Sequence, residues 1–530
     1  MVFLRAAGAA GHAARPVPPG TPPGRADRHA GPAGGGGLMW WNSRVDSRGL
    51  ARIAARLAPA AGGLSILLTI AIGALGPSAM VPRLPGRPWQ PSYSFEVAPD
   101  GHLVVAMAAA ALVLGTLGLA AGLAYADRMP RARTLVVAGC AAAAVLAFLP
   151  PSGSADHLNY AAYGRLAALG YDPYATVPAD LPADPVVGSV EEWRDTPSVY
   201  GPVATAVQAL ASHAGGESVR LTVFVMALVN AAAFVATGLL LHRATAGDPV
   251  RQRRAALLWT ANPLVVYQLV AGMHLDTLAV ALVVAGLVAR RGVPLGLGVA
   301  VKATVGVVAL GTAWELRGNP RRLALVAGLA TLTVVVAYLL AGPHSLDQLL
   351  NASRLVSLAT PWALAKKALQ AVFEPGAYHA WIQAGSLLLL AALAVLMLRG
   401  RPAAEREGPV VALAVAVAWL FATPYALPWY DGLGFALLAL VAWPGLEAFL
   451  VARLTVLSLA YLPARKAHQP DDLSWLVDVV RQWVAPSLLL ALTIVLLWWA
   501  ARAGGRVRTP PAPAAPRPSG PSPESRSPSR

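Results

Sequence analysis

The chain has 530 residues, of which 56% are hydrophobic and only 13% charged, and its mean hydropathy is +0.55. A soluble protein carries about a quarter charged residues, so this composition describes a polytopic membrane protein whose core is shared among many spans. The formal net charge of +16 does not point to nucleic acid, because Lys and Arg gather at the ends of apolar runs, and the single cysteine, Cys140, excludes an intrachain disulfide or a cysteine metal cluster.

In chain order, residues 1–50 read as a disordered, basic, cytoplasmic N-terminus. The first 37 are mostly Ala, Gly, Pro and Arg without periodicity, and no apolar segment follows a short basic start as it does in a signal peptide. A transmembrane domain is expected over 51–503, and the Pro/Ser-rich stretch 504–530 reads as a disordered cytoplasmic tail. Apolar runs of spanning length fall at roughly 58–80, 101–126, 133–150, 218–242, 253–271, 274–290, 321–342, 380–398, 408–427, 431–443, 446–462 and 484–501. They predict an all-α polytopic membrane protein with about twelve transmembrane helices (11–13).

Arg44, Arg48, Arg52 and Arg56 precede the first run, and Arg128, Arg131 and Arg133 join the second to the third. Arg251, Arg253 and Arg254 join the fourth to the fifth, and Arg399, Arg401 and Arg406 the eighth to the ninth. All four sets fall on one side if the N-terminus is cytoplasmic. The segments 151–216, 272–276, 343–379 and 427–431 then face outward. The run 292–314 strains this scheme, since Arg290 and Arg291 before it and Arg317, Arg321 and Arg322 after it all belong on the cytoplasmic side. A re-entrant hairpin satisfies both flanks, carries Lys302 toward the bilayer centre and lines a cavity. One full crossing that violates the positive-inside rule is the alternative.

The densest polar stretch is 151–216, and a loop that concentrates costly charges at a membrane boundary is the first candidate for chemistry. Behind Asp156, Tyr160, Tyr163 and Ala167 recur at helical spacing, which predicts a short amphipathic helix on the outer bilayer surface. Asp156 at its start is either a helix N-cap or a chemical group. Asp172 and Tyr174 in Tyr-Asp-Pro-Tyr (171–174), and Tyr200 in Ser-Val-Tyr-Gly-Pro (198–202), add tyrosines and rigid turns suited to holding a sugar. His274 and Asp276 at a membrane boundary suit a metal, a substrate hydroxyl or a helix start, although two ligands do not make a clear metal set. Lys302 is the one deeply embedded cation, suited to an anion such as phosphate or else a snorkelling structural lysine. Trp429 and Tyr430 sit where an aromatic belt is expected.

These pieces fall in a fixed order. Asp156 is followed by Tyr-x-x-Tyr-Gly-Arg (160–165), Gly-Tyr-Asp-Pro-Tyr (170–174) and Trp…Thr-Pro-Ser-x-Tyr-Gly-Pro (193–202). Then come Asn-Pro-Leu (262–264), His-Leu-Asp (274–276), Gly-Leu-Gly-x-Ala-x-Lys (296–302) and Leu-Pro-Trp-Tyr (427–430). The series resembles the integral-membrane GT-C glycosyltransferases, in particular the bacterial α-1,6-mannosyltransferases that use polyprenyl-phosphate mannose. The similarity runs over about residues 60–500. There are two departures. His157, rather than a second acidic or aromatic residue, follows Asp156, and three spans precede the loop.

The resemblance implies a lipid-linked mannosyl donor, a glycan or glycolipid acceptor outside the bacterial plasma membrane, and single-displacement inversion. In that reading Asp156 is the general base, and Lys302 and Arg165 stabilise the departing phosphate. His274 and Asp276 orient donor phosphate or sugar hydroxyls, while Tyr160, Asp172, Tyr174, Tyr200, Trp429 and Tyr430 line the substrate. The polyprenyl chain lies between spans. No cofactor is certain, a divalent metal stays open but has no clear ligand set, and nucleic acid is not expected as a partner. The alternatives are a transporter or flippase of lipid-linked saccharides, or a GT-C enzyme using another polyprenyl-linked sugar such as arabinose. The heavily polar loop and the want of an internal repeat favour the enzyme.

Overall fold

The computed structural model describes residues 47–402, 405–465 and 467–506, so the disorder expected before 47 and beyond 506 lies outside the described residues. Among the described residues the chain is all helix, with no strand. Six helices are long and apolar enough to cross a bilayer: Ile53–Leu75, Gly101–Ala124, Val219–Ala244, Pro320–Ala341, His379–Arg399 and Asp471–Ala503. Several of their starts are legible in the sequence. Asp100 accepts hydrogen bonds from the amides of His102 and Leu103, Ser218 from that of Leu221, and Asn319, ahead of Pro320, from that of Arg322. Only 6% of the apolar window of Pro320–Ala341 is covered by protein, against half of Val219–Ala244. The first therefore faces lipid and the second lies inside the bundle.

A further pair, Pro249–Ala271 and Asp276–Ala289, is bent by 119° at the break between them and counts as a seventh span if taken as one. Several runs that hydropathy reads as crossings form shorter helices, including Ala132–Ala147, Glu407–Ala422, Asp431–Leu440 and Leu446–Ala460. A 16-residue helix is about 24 Å long, short of the ~30 Å hydrocarbon core. Glu407–Ala422 and Asp431–Leu440 are buried along almost their whole length. A helix wrapped by protein is as apolar as one wrapped by lipid, which is why hydropathy reads twelve spans where length and composition give six or seven.

The 292–314 run is broken. Helix Gly292–Val301 stops at Lys302, a 3-10 turn covers Ala303–Val308, and a second helix runs Ala309–Leu316. The first piece packs against Asp276–Ala289 and Pro320–Ala341, and the second against Glu407–Ala422.

The 151–216 loop contributes two helices, Asp156–Ala168 and Pro202–Gly215, packed on each other. Their approach is close at Gly164, where a Cβ would meet the Gln208 carbonyl oxygen at 2.2 Å. The expectation of a surface helix is corrected here, because most of Asp156–Ala168 is buried, including Leu158, Tyr160, Ala161 and Ala162. Its run of small residues lets neighbours cover it on several sides.

Candidate active site

Asp156 opens its helix without serving as the cap. The hydroxyl of Ser154 accepts the Asp156 amide at 3.1 Å, and the Asp156 carboxylate turns instead toward His274, with Oδ2 3.7 Å from Nδ1. Burial pushes the Asp156 carboxyl up to about 7, helped by the negative charges of Glu192 and Asp276 and opposed by Lys302 and the hydrogen bond with Ser154. A carboxyl that titrates near neutral pH is matched to taking a proton from a hydroxyl.

His274 reaches this carboxylate from the break in the bent pair. A π-turn, Val266–Ala271, ends the first half, and Met273 adopts a left-handed conformation at φ 53° before the chain re-enters a helix at Asp276. The imidazole stacks on Trp429, with ring centres 3.6 Å apart and planes 12° from parallel. Nδ1 also faces the Tyr160 hydroxyl at 3.4 Å, and the Tyr200 hydroxyl donates to that of Tyr160 at 3.4 Å. Nε2 is buried without a hydrogen-bond partner. It lies against Gly272, where a Cβ would come within 2.9 Å of it.

Lys302 stands at the other break, with extended backbone between a helix and a 3-10 turn. Its ammonium donates to Asp276 Oδ1 at 2.6 Å and lies 3.7 Å from the centre of the Tyr430 ring. Asp276 Oδ2 is buried and has no hydrogen-bond partner. The loop is pinned to the lysine break by the Gly201 amide, which donates to the Val301 carbonyl at 3.0 Å.

The structure thus gathers Asp156, Tyr160, Tyr200, His274, Asp276, Lys302, Trp429 and Tyr430. Three expected residues are not brought in. Arg165 lies nine positions along the helix from Asp156, about 13 Å at the usual rise. Its guanidinium donates to Asp184 at 2.9 Å and to the Gly216 carbonyl, so it is not beside Lys302. Asp172 accepts from the Tyr174 amide and contacts His344, each at 2.8 Å. Tyr174 is buried and its hydroxyl pairs with that of Thr205.

Trp429 is a second correction. It is 3% exposed beneath His274 and Tyr461, so it is not a lipid-facing belt residue. Its Leu-Pro-Trp-Tyr turn is apolar and lies between apolar runs, which is what a belt also looks like in sequence. Tyr160 is fully buried too, so it offers no ring face to a sugar.

Sequence reading missed Glu192, Tyr461 and the Arg465–Glu191 pair. Arg465 is fully buried and holds Glu191 through two guanidinium nitrogens. The adjacent acids at 191–192 were the available signal, thirty-odd residues beyond Asp156 in the same polar loop. His157, next to Asp156, is buried with both ring nitrogens unpartnered, and burial together with Arg465 depresses it to about 3, so it is neutral at physiological pH. Among the described residues no three His, Cys, Asp or Glu side chains are grouped to hold a metal ion.

An all-helical membrane protein with a part-buried carboxyl against a buried histidine, beside a part-buried lysine, is the class the fold and site define. Residues 60–318 match the family described as alpha-(1->6)-mannopyranosyltransferase, N-terminal domain, which bears out the resemblance carried by the motif series over that stretch. The match contains Asp156, His274 and Lys302 and stops before Trp429.

Among known proteins, alpha-(1->6)-mannopyranosyltransferase A of Corynebacterium glutamicum is 28% identical over 142 residues, covering 27% of this chain and 29% of that protein. A probable alpha-(1->6)-mannopyranosyltransferase of Mycolicibacterium smegmatis is 33% identical over 147 residues, covering 27% and 26%. An alpha-(1->6)-mannopyranosyltransferase of Mycobacterium tuberculosis is 30% identical over 154 residues, covering 28% and 26%. The chain thus spans less than a third of the length of each of these relatives.

Proposed function

We propose that the chain is a GT-C-type membrane glycosyltransferase that moves a mannosyl residue from polyprenyl-phosphate mannose to a hydroxyl of a cell-envelope glycan or glycolipid. Transfer takes place on the outer face of the bacterial plasma membrane. The observation that carries the reaction class is Asp156, a carboxyl raised to about 7 and gathered with Lys302 around His274 and Asp276. The names of the relatives support mannose as the sugar.

Asp156 takes the proton of the acceptor hydroxyl while that oxygen bonds to the anomeric carbon. The bond from that carbon to the phosphate oxygen breaks on the opposite face, giving inversion, and polyprenyl phosphate leaves with the electron pair. Lys302 is the cation at hand for that anion, and its charge is balanced by Asp276 beforehand, so the phosphate competes with a carboxylate for it. Arg165 has no part in this step, being committed to Asp184.

The proposed topology has the six or seven long apolar helices as crossings, shorter protein-buried helices between them, and 292–314 as a re-entrant hairpin, in a domain spanning 51–503. The break at Lys302 supports the hairpin, because non-helical backbone at membrane depth must line protein or water.

The test is sugar transfer from radiolabelled polyprenyl-phosphate mannose to short α-mannosides by purified protein in detergent. Wild type transfers, and Asp156→Asn loses about a hundredfold or more, the usual contribution of a positioned base. Undiminished transfer by Asp156→Asn removes the base assignment. A folded wild type that transfers neither mannose nor arabinose from polyprenyl donors brings the flippase reading forward.

A further inference from the structure

Two consecutive aromatic residues hold opposite ends of the site. Pro428–Tyr430 is a single 3-10 turn, in which successive side chains point about 120° apart. The Trp429 indole stacks on His274 and meets Tyr461 edge-on at 5.2 Å, and Arg481 lies 5.1 Å from the Tyr461 ring centre. The Tyr430 ring carries the Lys302 ammonium at 3.7 Å and stacks with Trp419 at 5.8 Å. These contacts bury the Trp429 ring in protein, away from the aromatic belt in which the sequence placed it.

His274 and Lys302 share a weakness that the turn offsets. Each stands at a helix break, where the regular backbone does not fix a side-chain direction. His274 has one ring nitrogen without a partner, and its other nitrogen has only contacts of 3.4 Å and 3.7 Å. Lys302 has one carboxylate and one ring face. A stacked indole fixes the plane of an imidazole, and a phenol ring under an ammonium is worth about 0.5–2 kcal/mol.

We propose that Trp429 and Tyr430 are positioning residues that link the two ends of the reaction: Trp429 sets His274 against Asp156, and Tyr430 sets Lys302 for the departing phosphate. The turn then fixes the spacing between base and cation. This inference rests on the transferase reading above.

The two residues act through different partners, so their variants part company in steady-state kinetics with polyprenyl-phosphate mannose as donor. Trp429→Leu lowers kcat by about tenfold or more with donor KM within about twofold, because the base end is used only as bonds change. Tyr430→Leu raises donor KM about fivefold, because the charged phosphate is already present in the bound donor. Trp429→Phe and Tyr430→Phe keep a ring and recover most of each loss. On a His274→Ala background, Trp429→Leu costs little more, since its partner is gone.

Equal losses of kcat in both Leu variants with unchanged KM, or Phe variants as poor as Leu, would overturn the proposal and leave ordinary packing. So would a further tenfold loss for Trp429→Leu in the absence of His274. If the Leu variants fail to purify folded, Trp429→Phe alone and on the His274→Ala background decides the question, and a kcat loss that persists without His274 overturns the proposal. A folded wild type that transfers no sugar from polyprenyl donors removes the transferase reading and this inference together, an outcome distinct from any of these.

Discussion

The charge facing Asp156 sets a pH profile that a single substitution ought to move. Burial comes first among the causes that lift the carboxyl to about 7, and the largest contribution after it is the negative charge of Glu192. Only the ionised carboxylate accepts a proton, so transfer is expected to fall about tenfold per unit below pH 7 and to level off above it. Glu192→Gln removes the charge while keeping the side-chain size, and it keeps the backbone carbonyl that accepts from Asn159 at 3.0 Å. The Asp156 midpoint then drops, by about half a unit to one unit for one like charge in a partly buried site. A full unit takes the ionised fraction at pH 6 from roughly one-tenth to one-half, about a fivefold gain in rate. Near pH 8 both forms are ionised and the variant gains nothing. Initial rates of mannosyl transfer across about pH 5 to 9, at subsaturating donor and acceptor, report the free enzyme. A wild-type profile flat below neutrality, or a midpoint that rises in Glu192→Gln, would refute this account of the base.

Three other substitutions separate the roles in the site. Gly272→Ala places a Cβ 2.6 Å from the Gln268 carbonyl oxygen and 2.8 Å from the His274 ring, so transfer drops about tenfold or more as the imidazole shifts, while a folded protein is still recovered. Lys302→Met strands Asp276 as an unpaired buried carboxylate and costs about 3–5 kcal/mol. Adding Asp276→Leu restores thermal stability in detergent without restoring transfer. Arg165→Gln loosens the loop through Asp184 and lowers the unfolding temperature, yet leaves donor KM unchanged, because the guanidinium is not at the phosphate end.

What the sequence could and could not reveal follows from what each signal measures. The membrane class and the all-helical fold were legible because low charge and long apolar runs have no other explanation in a chain this size. The number of spans was not, since Glu407–Ala422 is apolar through burial in protein rather than lipid. Asp156, His274, Asp276 and Lys302 stood out because ionisable groups are rare and costly in such a chain, and the structure gathers all four. Arg165 stood out for the same reason, but sequence does not show that Asp184, nineteen residues on, already holds it. Trp429 carried the opposite ambiguity. An indole between apolar runs reads the same whether its face meets lipid headgroups or an imidazole, and only the 3.6 Å stack decides between them.

The position of Asp156 also carries a cost that can be measured without any substrate. Its carboxyl titrates near 3.8 when exposed and at about 7 in the folded protein. Between those values the folded chain binds more protons than the unfolded one, so this residue's contribution to stability is fully present below about pH 4 and is lost as pH rises through 7. Holding the carboxyl that far above its exposed value amounts to a penalty on the order of 4 kcal/mol at alkaline pH. The side chain, only 16% exposed, has little water to relieve it. Asn cannot ionise, so Asp156→Asn should unfold a few degrees above wild type near pH 8 and close to it near pH 4, by thermal denaturation in the same detergent. A site that holds a destabilised carboxylate at working pH keeps the proposed base at the expense of the fold, and the variant expected to lose transfer should be the sturdier protein. An equal gap at both pH values would mean that the gain comes from packing or hydrogen bonding, and that the carboxyl is not held at a raised pKa at all.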